Sequence, residues 1–399
     1  MNKMHSLTLL SSALLLACQA NAAGTLVSEM SSMTVSTAGA GGAVIAENAS
    51  VAYSNPAGMS YIYGDALSVN LAVMDLRVQY KDATDPSLSS GNAGGFQPYG
   101  SLYYVHQLDN DMRLGMSISV QGGSALDYGT SYGGALTLND LRLSVMQFNP
   151  SISYQVTPKL SLGAGFQIDY ATFEENLLYG QANMDTDSWT VGYNLGAIYQ
   201  WDKNTRFGIT YRSKMDHDLT GTFKVDVPDW LGPNIADKSG LAGLNVLNPR
   251  HVEISGLHQL SQPLSLVWSL GFEQWSDNDS TRVSINGNNV TQISRDFDNV
   301  WTGALGARYQ LTPKVRLETG IGYASSPLDE PEYQAADLPV DTQHRYSIGL
   351  TYQWTKDTTF NAYYSYVDYG EPKINNDGMN GRFDNSNQFF GVTMNMAFK

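Results

Sequence analysis

From about Ala66 to the C-terminus, the chain is a succession of roughly ten-residue segments in which apolar and polar side chains alternate. Alternation at every second residue is the period of a β-strand with two unlike faces. Between Arg113 and Val120, one face carries Leu114, Met116, Ile118 and Val120, and the other Gly115, Ser117 and Ser119. The last segment repeats this, with Phe390, Val392, Met394, Met396 and Phe398 against Gly391, Thr393, Asn395 and Ala397. Fourteen segments fit, at 66–80, 98–107, 112–121, 141–156, 160–173, 189–201, 205–225, 251–260, 264–275, 299–311, 315–325, 343–354, 358–374 and 386–398.

The connections sort strictly into short and long. Asp109-Asn110-Asp111, Thr157-Pro158-Lys159, Asp202-Lys203-Asn204, Ser261-Gln262-Pro263, Thr312-Pro313-Lys314 and Thr355-Lys356-Asp357 are tight turns with Pro, Asn or Asp at the bend. The intervening connections, at 81–97, 122–140, 174–188, 226–250, 276–298, 326–342 and 370–385, are long. A soluble sandwich has no reason to alternate its loops this way. A transmembrane barrel of the outer membrane does, because its periplasmic turns are short and its extracellular loops long. The expected fold is therefore all-β: a 14-stranded antiparallel transmembrane β-barrel at residues 65–399, with both termini in the periplasm. Tryptophans agree: Trp201 and Trp354 lie beside short turns, and Trp189, Trp275 and Trp301 at the outer ends, as interfacial girdles require.

Residues 1–22 read as a secretory signal peptide: Lys3 and His5, an apolar run from Leu7 to Ala17, then Ala20-Asn21-Ala22 as the cleavage site. Leu15-Leu16-Ala17-Cys18 is a rival, lipoprotein-like site. Cleavage after Ala22 removes Cys18, the chain's one cysteine. No later apolar run is long enough for a membrane helix. Lys and Arg number 23 against 38 Asp and Glu, a formal charge of −15. That disfavours nucleic acid, whose binding needs basic side chains against phosphates. Acidic loop residues such as Asp279, Asp296, Asp298 and Asp329-Glu330 would face outer-membrane lipid and lipopolysaccharide.

A barrel of this size encloses a lumen wide enough for water. Residues 23–64 are enough to fill it and too few for a periplasmic domain. Gly39–Met59, GAGGAVIAENASVAYSNPAGM, has glycines for close packing, one acid (Glu47), and a turn at Asn55, Pro56, Ala57 and Gly58. It reads as an N-terminal hatch, or plug, with that turn feeding the first strand.

No Gly-x-Ser-x-Gly, His-Glu-x-x-His or Gly-x-x-x-x-Gly-Lys motif is present, so the expectation is no enzyme, no cofactor and no metal. A serine–histidine pair in the wall is a residual alternative, since such pairs need not be close in sequence.

Five stretches carry a family resemblance: the Ala23-Gly24 start, GAGGAVIAENASVAYSNPAGM at 39–59, TRFGITYRSKMDHDLTG at 205–221, SLGFEQWSD at 269–277 and NVWTGALGARYQLTPKVRLETGIGYASSP at 299–327. Together and in order, they resemble the FadL/TodX family of Gram-negative outer-membrane transporters for long-chain fatty acids and aromatic hydrocarbons. The resemblance implies a monomeric barrel with an N-terminal hatch. Substrate would land in an apolar groove among the extracellular loops, move to a pocket at the mature N-terminus, and leave sideways through a kinked third strand. The kink maps onto Gln121, Gly122 and Gly123. Thr25 and Leu26 are the pocket candidates, and Leu126, Tyr128, Tyr132, Leu136, Leu138, Trp230 and Leu231 the groove candidates.

Fatty-acid carriers of the family hold the carboxylate with one base beyond the fifth strand and one before the tenth. The first region here reads Glu174-Glu175-Asn176-Leu177-Leu178, without a base. The second offers Arg295; Arg212 is a further candidate. Long-chain fatty acid is the first expectation. An aromatic or aliphatic hydrocarbon, or a receptor or adhesin barrel whose plug never opens, are the alternatives.

Overall fold

The computed structural model describes residues 34–225 and 239–398. The signal peptide, Thr25, Leu26, Trp230 and Leu231 lie outside the described residues. Fourteen strands close an antiparallel ring. They are β1 (Asp65–Asp82), β2 (Phe96–Gln107), β3 (Met112–Asp127), β4 (Asp140–Thr157), β5 (Leu160–Leu177) and β6 (Ala182–Gln200). Next come β7 (Thr205–Arg212, resuming as Met215–Val225), β8 (Gly240–Asn248, resuming as His251–Gln259) and β9 (Leu264–Glu273). The ring is completed by β10 (Val300–Thr312), β11 (Val315–Ala324), β12 (Gln343–Thr355), β13 (Thr358–Asp368) and β14 (Met379–Phe398). Closure comes from β14 lying against β1 in unbroken register from Asp65↔Phe398 to Asp82↔Gly381.

The two faces are inverted relative to a soluble protein. Ile254, Leu270, Ile348 and Val392 are exposed, while their neighbours Ser255, Ser269, Ser347 and Thr393 are buried. Exposed apolar side chains all round a closed ring, with polar ones inside, are stable only with lipid outside. The short turns owe their shape to side chains. Asp109 Oδ1 accepts from the backbone N–H groups of Asp111 and Met112, and Asp202 Oδ1 from those of Asn204 and Thr205. The Thr157 and Thr312 hydroxyls play the same part in the two Thr-Pro-Lys turns.

The strands run further outward than alternation indicated. β3 extends to Asp127 rather than 121, β6 starts at Ala182 rather than 189, and β14 at Met379 rather than 386. Beyond the membrane the outward face turns polar, at Asp185, Asp187 and Arg382 for example, so it loses the lipid-facing apolar pattern that marks a spanning strand. The expected 205–225 strand is interrupted at Ser213-Lys214, and the expected 358–374 strand ends at Asp368, with a separate Lys373–Asn376 strand after it. Two stretches expected to be loops hold strands: Gly240–Asn248, and a hairpin of Ser280–Ile285 with Asn288–Ser294. The hairpin turns at Asn286-Gly287, both at positive φ, the Asn-Gly chemistry of a tight two-residue turn. One girdle residue is misplaced in the expectation: Trp275 is buried, edge-on to Phe297 at 5.7 Å, with its indole N–H on Glu273. Trp189, Trp201, Trp301 and Trp354 are all exposed, as a girdle needs.

Candidate functional site: the inner segment, the β2–β3 seam and two cavities

Residues 34–62 pack against the inward faces of the strands. They fold as two short 3-10 turns (Val35–Thr37, Pro56–Tyr61) and one α-turn (Val51–Ser54). Asn55, Pro56, Ala57 and Gly58 are more than a turn into β1. Asn55 caps the Pro56–Tyr61 helix, its Oδ1 accepting from Ala57 N at 3.1 Å, and strand β1 begins only at Asp65. Pro56 at the first helical position loses no hydrogen bond by lacking an N–H. The Asn55 amide nitrogen donates to Ala43 O, at 2.6 Å, and to two wall carbonyls, Ala197 O and Ile209 O, at 3.3 and 3.2 Å. The wall provides room with glycine: a Cβ at Gly196 would lie 1.8 Å from Asn55 Oδ1, and one at Gly208 2.0 Å from Ala43 O.

Charge fastens the other side of this segment. Arg308 of β10 donates to both Glu47 oxygens, at 2.8 and 2.5 Å, and Arg316 of β11 lies 3.0 Å from Glu47. Glu318 holds both arginines from the wall, at 3.2 and 2.8 Å. Ala43 N donates to Glu253, Gly41 N to Ser269, and Ser36 to Asn361. A polar cavity of about 230 Å³ lies beside this network, lined by Glu47, Asn48, Gln310, Lys314, Gln353 and Asn395 among others.

The seam between β2 and β3 differs from its neighbours. Ladder pairing runs only from Leu102↔Ile118 to Gln107↔Arg113. Outward of that, Phe96 to Ser101 keep their register with β1, and Gly122 to Asp127 theirs with β4. Both strands carry a ladder-breaking residue at this level. Pro98 on β2 has no N–H to donate, and on β3 the register with β4 slips between Val120 and Gly122, leaving Gln121 as a bulge. Gln121, Gly122 and Gly123 are thus a bulge inside a continuing strand and not an entry into a loop.

Arg212 and Arg295 stand in different cavities. Arg212 lines a central cavity of about 180 Å³ with Tyr53, Gln121, Gln147, Asp169 and Met215. Its guanidinium donates to Gln147 Oε1 at 3.1 Å and to Tyr53 O at 2.6 Å, and sits 3.8 Å above the Tyr53 ring. Arg295 is buried at the outer end, in an apolar cavity of about 60 Å³ lined by Leu141, Leu143, Phe173, Met184, Leu244 and Val283 among others. It forks onto both carboxylate oxygens of Asp337, and its Nε donates to Thr281 at 3.1 Å. Burial opposes the Asp337 charge, but the facing guanidinium outweighs it and holds that carboxyl below its usual range. Glu175 shares the cavity. Burial first, then the Asp337 charge, push its carboxyl up to about 8, against the pull of Arg295.

The groove candidates are mostly covered. Leu126 and Tyr128 are buried; Tyr128 stacks on Tyr132 at 4.9 Å and donates to Ala336 O at 2.9 Å. Leu138 is buried with them, and Leu136 is the one exposed candidate among the described residues. These side chains form the core of the outer loops rather than an open groove. Asp337 and Tyr53 were missed by sequence reasoning. Nothing in a loop such as 326–342 signals which arginine its acid will meet, whereas Tyr53 sat in view, one aromatic inside a glycine-rich segment.

A buried serine–histidine–aspartate row exists in the wall: Ser188 Oγ to His217 Nδ1 is 3.4 Å, and His217 Nε2 to Asp169 Oδ2 is 3.6 Å. Both contacts exceed the ~2.6–3.2 Å of a working nucleophile–base pair. His217 has no exposed surface, so its imidazole offers a substrate no approach.

The family model described as "Outer membrane protein transport protein (OMPP1/FadL/TodX)" matches residues 13–398. Outer membrane protein P1 of Haemophilus influenzae is 28% identical over 92% of this chain and 90% of its own. The long-chain fatty acid transport protein of Escherichia coli K12 is 25% identical over 96% of each chain. Among solved structures, a FadL homologue of Pseudomonas aeruginosa superposes with a TM-score of 0.83 at 19% identity, covering 96% of this chain and 99% of that one. The toluene transporter TbuX of Ralstonia pickettii gives 0.72 at 19% identity, covering 94% and 100%.

Proposed function

The chain belongs to the OMPP1/FadL/TodX family of outer membrane transport proteins, and from that premise we propose that it takes up hydrophobic molecules passively, long-chain fatty acids first. Residues 23–64 act as the hatch. Cargo is collected by the outer loops, passes to a pocket beside Arg212, for which Thr25 and Leu26 are the sequence candidates at the mature N-terminus, and leaves sideways into the membrane at Gln121–Gly123. The observation that supports this reading is the ladder between β2 and β3, which stops at Ile118 where Tyr53 of the inner segment stands beside the seam. A sideways route suits greasy cargo: apolar surface stays out of water, worth about 25 cal/mol per Å². The polar, ion-paired side of the hatch offers such a cargo nothing.

A second reading is a neutral hydrocarbon as cargo. It is favoured by Arg295, whose fork is already occupied by Asp337, and by Glu175 where a base would stand. Growth of a deletion strain on long-chain fatty acids, compared with aromatic hydrocarbons, tests both. Loss on fatty acids supports the first reading, and loss on hydrocarbons alone the second. Normal growth and uptake on every hydrophobic carbon source would leave a surface receptor whose hatch stays closed.

A further inference from the structure

We propose that Tyr53 is the inner door of the β2–β3 seam, held shut by Gln121 and Arg212; this rests on the sideways route above. Tyr53 lies in the single α-turn Val51–Ser54 of the inner segment. Its ring meets Tyr103 of β2 edge-on, with centroids 6.5 Å apart and planes at 60°. Tyr103 is next to Leu102, where the ladder ends. The Tyr53 hydroxyl donates to Gln121 Oε1 at 2.9 Å, and Gln121 is the bulged residue of β3. One side chain therefore reaches from β2 to β3 on the lumenal side, at the level where their backbones part.

The arrangement is built on both sides of the ring. The Gln121 amide nitrogen donates to Ser119 Oγ at 2.8 Å, which turns its carbonyl oxygen toward Tyr53. Arg212 covers the ring face at 3.8 Å and ties the Tyr53 backbone carbonyl at 2.6 Å, so the door is clamped from β7 as well. The central cavity lies on the open side, lined by Tyr53, Gln121 and Arg212 together. Cargo held there touches the Tyr53 ring and the bulged Gln121 side by side. Tyrosine is suited to a door because its ring excludes water and carries the stacked cation, while its hydroxyl gives a bond that breaks on opening. Rotation of one side chain opens the way without moving the ion-paired half of the hatch.

The test compares the folded wild type with Tyr53→Ala, Tyr53→Phe, Gln121→Ala and the double variant Tyr53→Phe/Gln121→Ala. The readouts are the initial uptake rate of a pyrene hydrocarbon probe by cells and single-channel conductance in planar bilayers. Tyr53→Ala is expected to raise the uptake rate most. Tyr53→Phe and Gln121→Ala should each raise it about two- to tenfold, the effect of one ordinary hydrogen bond. The double variant should match either single one, because both remove the same bond. Conductance should stay at the wild-type level. A second measurement covers variants that fold poorly: Tyr53→Cys/Gln121→Cys, bridged in the folded protein by a bifunctional methanethiosulfonate, should lose uptake and regain it on reduction. Uptake in Tyr53→Ala at or below wild type, additive single effects, or indifference to the bridge would overturn the door. Absence of uptake by the wild type of both this probe and a long-chain fatty acid would instead overturn the transport reading.

Discussion

Two seams of the same barrel, β1–β14 and β2–β3, are built from similar residues and end differently. The first joins the chain's two ends and is zipped from Asp65 to Asp82 without a slip. The second is zipped only from Leu102 to Gln107. The contrast does not come from side-chain pattern, since both seams alternate. It comes from backbone chemistry: the long seam has no proline on either strand, while the short one has Pro98 on β2 and a bulge followed by two glycines on β3. A closing seam must be continuous because an open edge in lipid leaves unpaired backbone groups. A seam that stops partway is tolerated where protein backs it, and the inner segment backs this one with Tyr53.

The largest effect should come from filling the short seam. Gly122→Trp or Gly123→Trp is expected to cut hydrophobic uptake at least about tenfold, since a close-packed seam has no space for an indole. A bulky change on the outward face of the long seam, Leu71→Trp, whose residue faces Val392, should leave uptake untouched in a folded barrel. Equal losses at both seams would end the distinction.

Next in size is the ion network that fixes the inner segment to β10 and β11. Glu47→Ala leaves Arg308 and Arg316 facing each other with Glu318 alone to hold them. Glu47 is partly exposed, so the expected cost is about 1–3 kcal/mol, below that of a fully buried pair. The sign to look for is ion conductance in planar bilayers, which should rise while the β2–β3 seam stays as it is. Asn55→Ala should come third. It removes a cap and the bonds to Ala43, Ala197 and Ile209, for about 1–2 kcal/mol, read as faster protease cleavage within 34–62.

The effect that bears least on uptake is a pH dependence of the outer loops, far from both seams. Glu175 has a folded value of about 8 against 4.5 unfolded. Between those values the folded form keeps a proton that the unfolded form releases, so stability falls as pH rises from about 4.5 through 8. Loop protection from protease should weaken over that window, and Glu175→Gln should flatten it. A flat profile in the wild type would mean that Glu175 titrates as an ordinary carboxylate.

The barrel was legible because its signal is repeated. Alternation and loop sorting both followed from lipid outside and water inside, and the short turns carried their own Asp and Thr chemistry. The outer ends were less legible, since there the outward face turns polar, at Asp185, Asp187 and Arg382, and the apolar–polar period of a spanning strand is lost. The bulge could be placed because the kinked third strand implied by the family resemblance mapped onto Gln121, Gly122 and Gly123, where glycines suit a bulge. The partners of charged side chains could not: Arg295 was visible, but Asp337 meets it through loop packing between residues 42 apart. Tyr128 and Leu126 looked like an open groove for the same reason, and instead pack on Tyr132 and its neighbours.

The sideways exit is tested most directly by catching cargo in passage. A long-chain fatty acid bearing a photoreactive benzophenone at its tail, activated during uptake by whole cells, marks the wall it touches. The expected result is label on peptides spanning 96–101 and 119–127, at the stopped ladder between β2 and β3. Label concentrated instead on Gln310, Lys314 and Gln353, which line the polar cavity beside the Glu47 network, would mean that cargo leaves through the lumen and would contradict the lateral route.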